Sequence, residues 1–216
     1  MPKAPSANDA VRRYFERRSR EFDSIHQGKG PFGGLVDRVF RAGMLERQAY
    51  VLGSVRAQPG ATLLDVGCGG GKYAVELAGR GMSVTGIDFA APMIEIARQR
   101  ARAAAVETSC RWIAGDVMAL DLPAADTVLA IGVFDYVDEP GPLLARLREL
   151  TRFELIASFP KAGTWQGGLR RAWLRLRRCP VRYYAAAELR ALVASWDGHP
   201  EIVENIRADF LLHWRR

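Results

Sequence analysis

The residues Leu64-Asp65-Val66-Gly67-Cys68-Gly69-Gly70-Gly71 are the strongest indication of fold in this sequence. An apolar run, Thr62–Val66, leads into them, and a helical pattern, Tyr73–Ala78, follows them. A glycine-rich turn between a buried strand and a helix lets the backbone approach a ligand with no Cβ in the way. The stretch therefore predicts a parallel α/β sheet with a ligand site at the carboxyl end of its first strand.

The chain beyond this turn alternates short apolar runs with helical patterns. The predicted strands are Thr62–Val66, Ser83–Ile87, Cys110–Ala114, Thr127–Val133 and Phe153–Phe159, with a terminal hairpin of Glu201–Ile206 and Asp209–Trp214. The predicted helices are Tyr73–Ala78, Pro92–Ala104, Pro142–Leu150 and Ala186–Trp196. Such alternation indicates βαβ units and a parallel sheet that is covered on both faces.

Two common nucleotide-binding motifs fail at the glycine loop. A P-loop requires a glycine five residues before its Gly-Lys pair, and here Val66 holds that position while Tyr73 replaces the Ser or Thr. The dinucleotide pattern G-x-G-x-x-G is met by Gly67 and Gly69, but its last position is Lys72. The loop therefore matches neither a P-loop NTPase nor the dinucleotide-binding fingerprint.

Acidic residues mark three successive strand ends. Asp65 precedes the glycine loop, Asp88 closes the second strand before Pro92-Met93-Ile94, and Gly115-Asp116 follow the third strand. In this pattern the sequence resembles class I S-adenosylmethionine-dependent methyltransferases, by motif over about residues 60–160 and by strand order to the end of the chain. The resemblance implies a Rossmann-like, seven-stranded methyltransferase sheet whose last strand is antiparallel. It also implies S-adenosylmethionine as cofactor and S-adenosylhomocysteine as product.

The resemblance gives individual residues a role at the cofactor. Asp88 is expected to bond the ribose hydroxyls and Asp116 the adenine amine, with Val117 beside the base. A carboxylate suits both tasks, because it accepts hydrogen bonds from hydroxyl and amine groups. The alternative for each aspartate is a strand-end turn or a helix cap. The residues expected at the cofactor are Tyr14, Asp65, Gly67, Cys68, Gly69, Gly71, Asp88, Phe89, Met93, Asp116, Val117 and Gly132.

The residues after the fourth strand bear on the acceptor. The Asn/Asp-Pro-Pro-Tyr/Phe motif of nucleic-acid and glutamine methylation is absent, and Gly132-Val133-Phe134-Asp135-Tyr136 stands in its place. This favours the small-molecule branch of the family, with oxygen as the expected methylated atom. Asp135 is a candidate base and Tyr136 a candidate substrate contact; alternatively, Asp135 orders the loop and Tyr136 packs on the cofactor. His26 is a further candidate base, and a solvated histidine at a helix end is its alternative.

Residues 1–59 precede the first strand and are expected to form an N-terminal helical lid or cap on a methyltransferase domain of residues 60–216. Two helices are predicted in this part, with the glycine-rich loop 28–34 as a hinge between them. In the family such additions fold over the cofactor and exclude water, which would make Tyr14 and Phe15 wall residues. The alternative is a stripe of residues that packs on the core.

The net charge of +7 is concentrated in one segment. Residues 161–183, which we call the basic segment, contain seven Lys or Arg and no Asp or Glu, whereas the rest of the chain carries 24 of each sign. As a helix it would present tryptophan and leucine on one face and arginine on the opposite face. Four interpretations follow: a solvated cover helix, a pocket for an anionic and apolar acceptor, transient docking on a membrane surface, and nucleic-acid binding. The last is disfavoured because the positive stretch is short.

Composition sets the remaining expectations. The 216 residues, 49% hydrophobic and 25% charged, indicate one globular domain with small additions and exclude a disordered or fibrous chain. The three cysteines form no CxxC pair, so neither a disulfide framework nor a metal site is expected. No apolar run reaches about 18 residues and no signal peptide is recognisable. We therefore expect a cytoplasmic protein, monomeric or homodimeric, without integral membrane association.

The predicted function is methyl transfer from S-adenosylmethionine to a small molecule, such as an anionic, planar compound of porphyrin-like or polyketide-like character. Two alternatives stay open: an RNA or protein methyltransferase, and a non-catalytic regulator that binds S-adenosylmethionine. Salt-sensitive RNA binding would favour the first alternative. Tight cofactor binding without turnover would favour the second.

Overall fold

The computed structural model describes residues 15–16, 35–163 and 181–216. Within these ranges the chain forms five α-helices and seven strands, and Phe15 and Glu16 are also helical. The helices are α1 (Leu35–Ser54), α2 (Lys72–Gly79), α3 (Ala91–Ala103), α4 (Pro140–Glu149) and α5 (Ala186–Val193). The strands are β1 (Thr62–Val66), β2 (Ser83–Asp88), β3 (Cys110–Ala114), β4 (Ala125–Ala130), β5 (Thr151–Pro160), β6 (His199–Val203) and β7 (Asp209–Arg215). Short 3-10 turns lie at Glu107–Ser109 and Phe134–Tyr136.

All seven strands belong to one sheet with the order β3-β2-β1-β4-β5-β7-β6. The pairs among β1 to β5 are parallel, whereas β7 runs antiparallel to both of its neighbours, β5 and β6. The predicted seven-stranded sheet with an antiparallel last strand is therefore confirmed. The terminal hairpin is also present, with Val203 opposite Leu211.

Successive residues of the central strands point into two separate cores. Leu64 contributes to the core that α4 and α5 cover, and Leu63 contributes to the core that α1 and α2 cover on the other face. Burial on both faces explains why these strands are continuous apolar runs rather than alternating ones. Val51 and Val55 fix the end of α1 in the second core. The division of the chain at residues 59 and 60 stays a prediction.

The fourth strand ends earlier than the sequence suggests. We predicted Thr127–Val133, but β4 is Ala125–Ala130. Gly132 takes a φ of +78°, and its N–H donates to the Ser158 hydroxyl at 2.8 Å instead of continuing the strand ladder. The predicted end at Val133 was therefore wrong, and Asp135 and Tyr136 lie in the turn that follows.

The carboxyl ends of β1 to β5 meet at one edge of the sheet, which we call the carboxyl edge. Because β7 is antiparallel, its first residue, Asp209, also lies at this edge, opposite Pro160 at the end of β5. The edge thus collects the loop after β1, Asp88, the turn Phe134–Tyr136 and Asp209. Ligands of open parallel sheets bind at such an edge.

Several predicted features lie outside the described residues. They are the predicted first helix apart from Phe15 and Glu16, Tyr14, His26, the loop 28–34, and residues 164–180 of the basic segment. In the part of the chain that is described, no helix combines the length and the apolar character needed to cross a membrane.

Candidate cofactor and acceptor site

The glycine loop, residues 67–71, joins β1 to α2 at the carboxyl edge. Gly67 has a φ of +66°, and a Cβ on it would lie 2.4 Å from Cγ2 of Val133. Gly71 has a φ of +73°, and its Cβ would lie 2.7 Å from the Trp112 ring. Both positions therefore require glycine for conformation and for space. Arg100 of α3 also donates to the Gly70 carbonyl oxygen, so the loop is held from behind as a tight cradle.

Asp88 at the end of β2 is held by the backbone on both carboxylate oxygens. Oδ2 accepts the Gly69 N–H at 2.9 Å and Oδ1 accepts the Ala90 N–H at 2.8 Å. Burial raises the pKa of this carboxyl, and the two N–H donors oppose that shift. Each oxygen keeps a further lone pair, so the carboxylate can accept additional bonds in a fixed orientation beside the glycine loop.

Asp65 is buried next to Asp88 on the neighbouring strand. Only 1% of the residue is exposed, and its Oδ2 atom has no hydrogen-bond partner among the described residues. Burial, and secondarily the negative charge of Asp88, raise the pKa of Asp65 to about 7, against a hydrogen bond from the Ala74 backbone. A buried carboxylate with an unpartnered acceptor atom suits a ligand group that carries a positive charge.

Sequence reasoning missed a charged group on the other side of the loop. Arg47 of α1 is buried and bonds Asp209 through Nη1 and Oδ2 at 3.0 Å. Burial raises the pKa of Tyr73, which follows the glycine loop by two residues; the charge of Arg47 opposes that shift, and the charge of Asp65 adds to it. The only signal in the sequence is that an arginine interrupts the apolar stripe of α1. Its partner Asp209 is distant in sequence and gives no signal.

The turn after β4 is fixed by residues that return from the basic segment. Asp135 is buried, and its main-chain oxygen accepts the Arg182 N–H at 2.9 Å. The Tyr184 hydroxyl donates to the Phe134 carbonyl oxygen at 3.0 Å. Tyr136 in the same turn is half-buried, with its ring edge-to-face to that of Phe15 at a centroid distance of 5.2 Å. The turn that carries both candidate catalytic residues is thus anchored at two points.

The two ends of the basic segment lie next to each other in the structure. The Tyr184 N–H donates to the Pro160 oxygen and the Ala162 N–H donates to the Tyr184 oxygen, both at 2.9 Å. Both ends of the segment therefore lie at the carboxyl edge, next to the turn with Asp135. What the interior of the segment does stays a prediction.

An aromatic cluster connects the turn after β2 with the turn after β4. Phe15 is buried against Ala90 and Met93, with Phe89 and Tyr136 packed around them. The ring centroids of Phe15 and Phe89 are 6.1 Å apart in an edge-to-face arrangement. Phe15 thus lies at the carboxyl edge beside the turns after β2 and β4, and its role as a wall residue stays a prediction.

The other predicted cofactor residues occupy different environments. Asp116 is exposed, with Oδ1 accepting the Met118 N–H at 2.9 Å, and Val117 beside it is buried. The Cys68 thiol packs over Gly86 of β2, and burial raises its pKa. A Cβ on Gly132 would meet only open space. The described side chains include no group of three or more His, Cys, Asp or Glu that is suited to a metal ion.

Comparison with known proteins defines the class of this chain. Residues 63–153 match the model of a family described as a methyltransferase domain. The magnesium protoporphyrin IX methyltransferase of Synechocystis PCC 6803, solved with bound S-adenosylhomocysteine, superposes with a TM-score of 0.75 over 98% of this chain and 100% of that one, at 22% identity. The match over residues 63–153, the glycine loop and the strand order support the predicted resemblance to class I S-adenosylmethionine-dependent methyltransferases.

Curated relatives share part of this chain. The ubiquinone biosynthesis O-methyltransferase of Pseudomonas paraeruginosa is 34% identical over 94 residues, which are 43% of this chain and 40% of the relative. The protein of the same name from Alkalilimnicola ehrlichii is 37% identical over 95 residues, which are 44% of this chain and 38% of the relative. The chain thus spans about two fifths of the length of these relatives.

Proposed function

We propose that the protein transfers a methyl group from S-adenosylmethionine to an oxygen atom of a small molecule. The observation that carries the proposal is the buried Asp65 carboxylate beside Asp88, at a loop where Gly67 and Gly71 leave no room for a Cβ; Asp65 Oδ2 has no hydrogen-bond partner among the described residues. The residues at this edge fit each part of that cofactor, and they fit a phosphate-bearing nucleotide badly.

The charges of the edge distinguish between these ligands. Four aspartates are buried there, Asp65, Asp88, Asp135 and Asp209, and Arg47 is the only buried Arg or Lys among the described side chains. A pyrophosphate would add negative charge to this cluster. S-adenosylmethionine instead brings a sulfonium and an ammonium group against one carboxylate, so it lowers the cost of burying the aspartates.

Each end of the cofactor has a matching group. Asp88 accepts from the ribose hydroxyls and Asp116 from the adenine amine, with Val117 beside the base. At the amino-acid end, Asp65 accepts from the ammonium group and Arg47 donates to the carboxylate. When bound, the cofactor supplies an activated methyl group on a sulfonium. The protein therefore needs to supply alignment, exclusion of water and, for an oxygen acceptor, a base.

Asp135 is the candidate base, since it lies at the carboxyl edge in a turn that is fixed by Arg182 and Tyr184. A carboxylate there accepts the proton of an acceptor hydroxyl as the oxygen attacks the methyl group. Tyr136 and Phe15 form an aromatic wall beside it and keep water from this side.

The acceptor is proposed to be apolar, planar and anionic. Both described ends of the basic segment lie beside Asp135, and we therefore propose that this arginine-rich segment contributes to recognition of a carboxylate on the acceptor. The names of the relatives also favour a planar acceptor, because they combine O-methylation in ubiquinone biosynthesis with methylation of a metalloporphyrin.

The cytoplasmic location expected from composition belongs to this proposal, and fluorescence of a tagged copy in intact cells tests it.

Two measurements test the proposed function. Calorimetry should show binding of S-adenosylmethionine and S-adenosylhomocysteine to the purified protein. Release of S-adenosylhomocysteine should then be followed with a catechol, with a carboxylated porphyrin and with RNA as acceptors. Turnover with one of the small molecules that is lost in Asp135→Asn, while cofactor binding is retained, would support the proposal. Failure to bind either form of the cofactor, or turnover with RNA alone, would overturn it.

A further inference from the structure

Arg47 and Asp209 form a buried ion pair at the carboxyl edge that joins α1 to the start of β7. Nη1 and Oδ2 are 3.0 Å apart, and the exposed fractions of the two residues are 9% and 3%. Neither residue is fully bonded: Arg47 Nε and Asp209 Oδ1 are buried and have no hydrogen-bond partner among the described residues. Burial opposes the charge on Arg47, but Asp209, Tyr73 and Asp135 outweigh it and raise the pKa of the guanidinium.

A buried ion pair of this kind contributes little to the free energy of unfolding. Removing two charges from water costs about as much as their attraction returns, and each buried polar atom without a partner adds to the cost. The attachment of α1 to the sheet also has other sources. Glu46 bonds Arg207 at 2.6 Å, and the Tyr50 hydroxyl lies 3.0 Å from Nδ1 of His213. The Arg47–Asp209 pair therefore calls for an explanation beyond tethering the helix.

The position of the pair supplies that explanation. Arg47 interacts electrostatically with Tyr73, which lies in the first turn of α2 directly after the glycine loop. Asp209 holds the guanidinium through Nη1, which leaves the Nε–H without a partner among the described residues. Nε and Nη2 form the lateral fork of a guanidinium, and such a fork matches the two oxygens of a carboxylate. Fixing Nη1 sets the direction in which that fork points.

We propose that Asp209 is a positioning residue for the methyl donor: it orients Arg47 so that the arginine receives the carboxylate of the amino-acid part of S-adenosylmethionine. This inference depends on the proposed function, because it presupposes that the cofactor binds at this edge. It makes affinity for the amino-acid part depend on a residue 162 positions away from Arg47 in sequence. Affinity for the adenosine part should not depend on it.

Binding of two ligands tests the proposal without any acceptor. S-adenosylhomocysteine carries the amino-acid part and adenosine lacks it. By calorimetry, Asp209→Ala should weaken S-adenosylhomocysteine roughly tenfold or more and leave adenosine within about twofold of wild type. The affinity of Asp209→Asn for S-adenosylhomocysteine should lie between those of wild type and Asp209→Ala, since the asparagine amide oxygen can accept the same hydrogen bond from Nη1. Glu46→Gln is the matched control, because it breaks the ion pair of Glu46 with Arg207, which ties α1 to the β6–β7 connection. It should change neither affinity.

A double-mutant cycle covers the case in which Asp209→Ala leaves Arg47 unpaired and the protein unstable. Arg47→Met combined with Asp209→Leu replaces the pair by apolar side chains, and retained adenosine binding shows that the double variant is folded. The double variant should bind S-adenosylhomocysteine as weakly as Arg47→Met alone, because Asp209 acts through Arg47.

Three results would overturn the proposal. The first is wild-type affinity for S-adenosylhomocysteine in Asp209→Ala. The second is that Asp209→Ala and Glu46→Gln each weaken both ligands equally. The third is that the loss of S-adenosylhomocysteine affinity in the double variant equals the product of the losses in the two single variants. If wild-type protein bound adenosine but not S-adenosylhomocysteine, the cofactor assignment itself would be wrong, and this inference would fall with it.

Discussion

On the glycine-loop side of the carboxyl edge backbone N–H groups hold the Asp88 carboxylate, whereas beyond β4 a side chain from a distant part of the chain holds the Asp209 carboxylate. Asp88 takes the N–H groups of Gly69 and Ala90, one a loop away and the other two residues on. Asp209 is instead held by Arg47, 162 residues earlier in the chain. The first arrangement involves only the adjacent strands β1 and β2 and the turns that follow them, whereas the second also requires α1 to be packed on β7.

This difference separates two kinds of specificity. A backbone-built site offers the same donors whatever the surrounding side chains are, which suits the constant part of a ligand such as ribose and adenine. A site built from long side chains can be altered by single substitutions, which suits the parts that differ between family members. Substitutions can break either the backbone-held arrangement at Asp88 or the side-chain-held arrangement at Asp209, and they can measure whether the two act on the ligand independently.

The largest expected effect is on the backbone-built side. Asp88→Ala removes the acceptor for the Gly69 and Ala90 N–H groups as well as for the ribose. We expect the binding free energy of S-adenosylmethionine to fall by about 1–3 kcal/mol, through lost charge-assisted hydrogen bonds. Calorimetry measures this. Asp116→Ala should cost less, because that carboxylate is exposed. Unchanged affinity in Asp88→Ala would contradict the ribose assignment.

A methyl group at the start of the glycine loop should destabilise the fold. Gly67→Ala places a Cβ at a φ of +66° and 2.4 Å from Val133 Cγ2. The left-handed conformation alone costs an L-residue about 1–2 kcal/mol, measurable as the change in the free energy of unfolding in urea. Adding Val133→Ala should recover only the part due to the contact.

Gly53→Ala is the control for that substitution. It introduces the same methyl group into the exposed end of α1, where a Cβ would meet nothing within 4 Å. Here the alanine should stabilise the protein by about 0.5–1 kcal/mol, since glycine is the poorer helix former. A comparable loss in Gly53→Ala and Gly67→Ala would show that the loop is not specially constrained.

The same division explains what the sequence could predict. Thr62–Val66 and Cys110–Ala114 are predicted at their observed ends, because each is an apolar run with turn residues on both sides. The glycine loop and Asp88 form a local pattern of a few residues, and their juxtaposition follows from adjacent parallel strands. The backbone-built half of the site can therefore be predicted from the amino-acid sequence alone.

The side-chain-built half cannot be predicted in this way. Nothing near Arg47 in sequence indicates that it will meet Asp209, because their contact depends on where α1 crosses the sheet. The predicted end of β4 is wrong for a related reason: Ile131 to Val133 are apolar, but the positive φ of Gly132 and its bond to Ser158 come from tertiary structure. Local strand or helix propensity does not determine the structure where a residue distant in sequence supplies the hydrogen-bond or ion-pair partner.

The pH dependence of cofactor affinity tests whether Asp65 meets the positive charge of the ligand. With a pKa of about 7 in the free protein, Asp65 is protonated below neutral pH. A cationic ligand needs the ionised form, so affinity for S-adenosylmethionine should rise with pH up to about 7, by at most tenfold per unit, and then level off. Calorimetry in buffers of different ionisation enthalpy should detect proton release below that pH.

The free protein should show the opposite trend in stability from this group. The unfolded carboxyl ionises near its ordinary value of 3.8, whereas the folded one keeps its proton to about 7. The contribution of Asp65 to the free energy of unfolding therefore falls as pH rises through that window. Asp65→Asn should remove both dependences. Retention of the pH-dependent affinity in that variant would assign the titrating group elsewhere.

The smallest effect should come from a side-chain network that lies away from the carboxyl edge. His213 is buried between Glu154 and Tyr50, with Nε2 2.7 Å from Glu154 Oε1 and Nδ1 3.0 Å from the Tyr50 hydroxyl. Since a carboxylate only accepts, Nε2–H donates to Glu154, and in the neutral ring Nδ1 then accepts from the Tyr50 hydroxyl. Tyr50→Phe leaves Nδ1 buried without that donor and should lower the free energy of unfolding by about 1 kcal/mol.

Tyr50→Phe also separates the seating of α1 from the action of Arg47. Tyr50 and Arg47 project from the same helix onto the same strand, β7, but His213 pairs with Ile156 in the middle of β5, whereas Asp209 pairs with Pro160 at its carboxyl end. If only the pair at the edge acts on the ligand, Tyr50→Phe should lower stability and leave affinity for S-adenosylhomocysteine unchanged. A loss of affinity as large as that in Asp209→Ala would mean that the position of the whole helix, rather than the orientation of one guanidinium, sets cofactor binding.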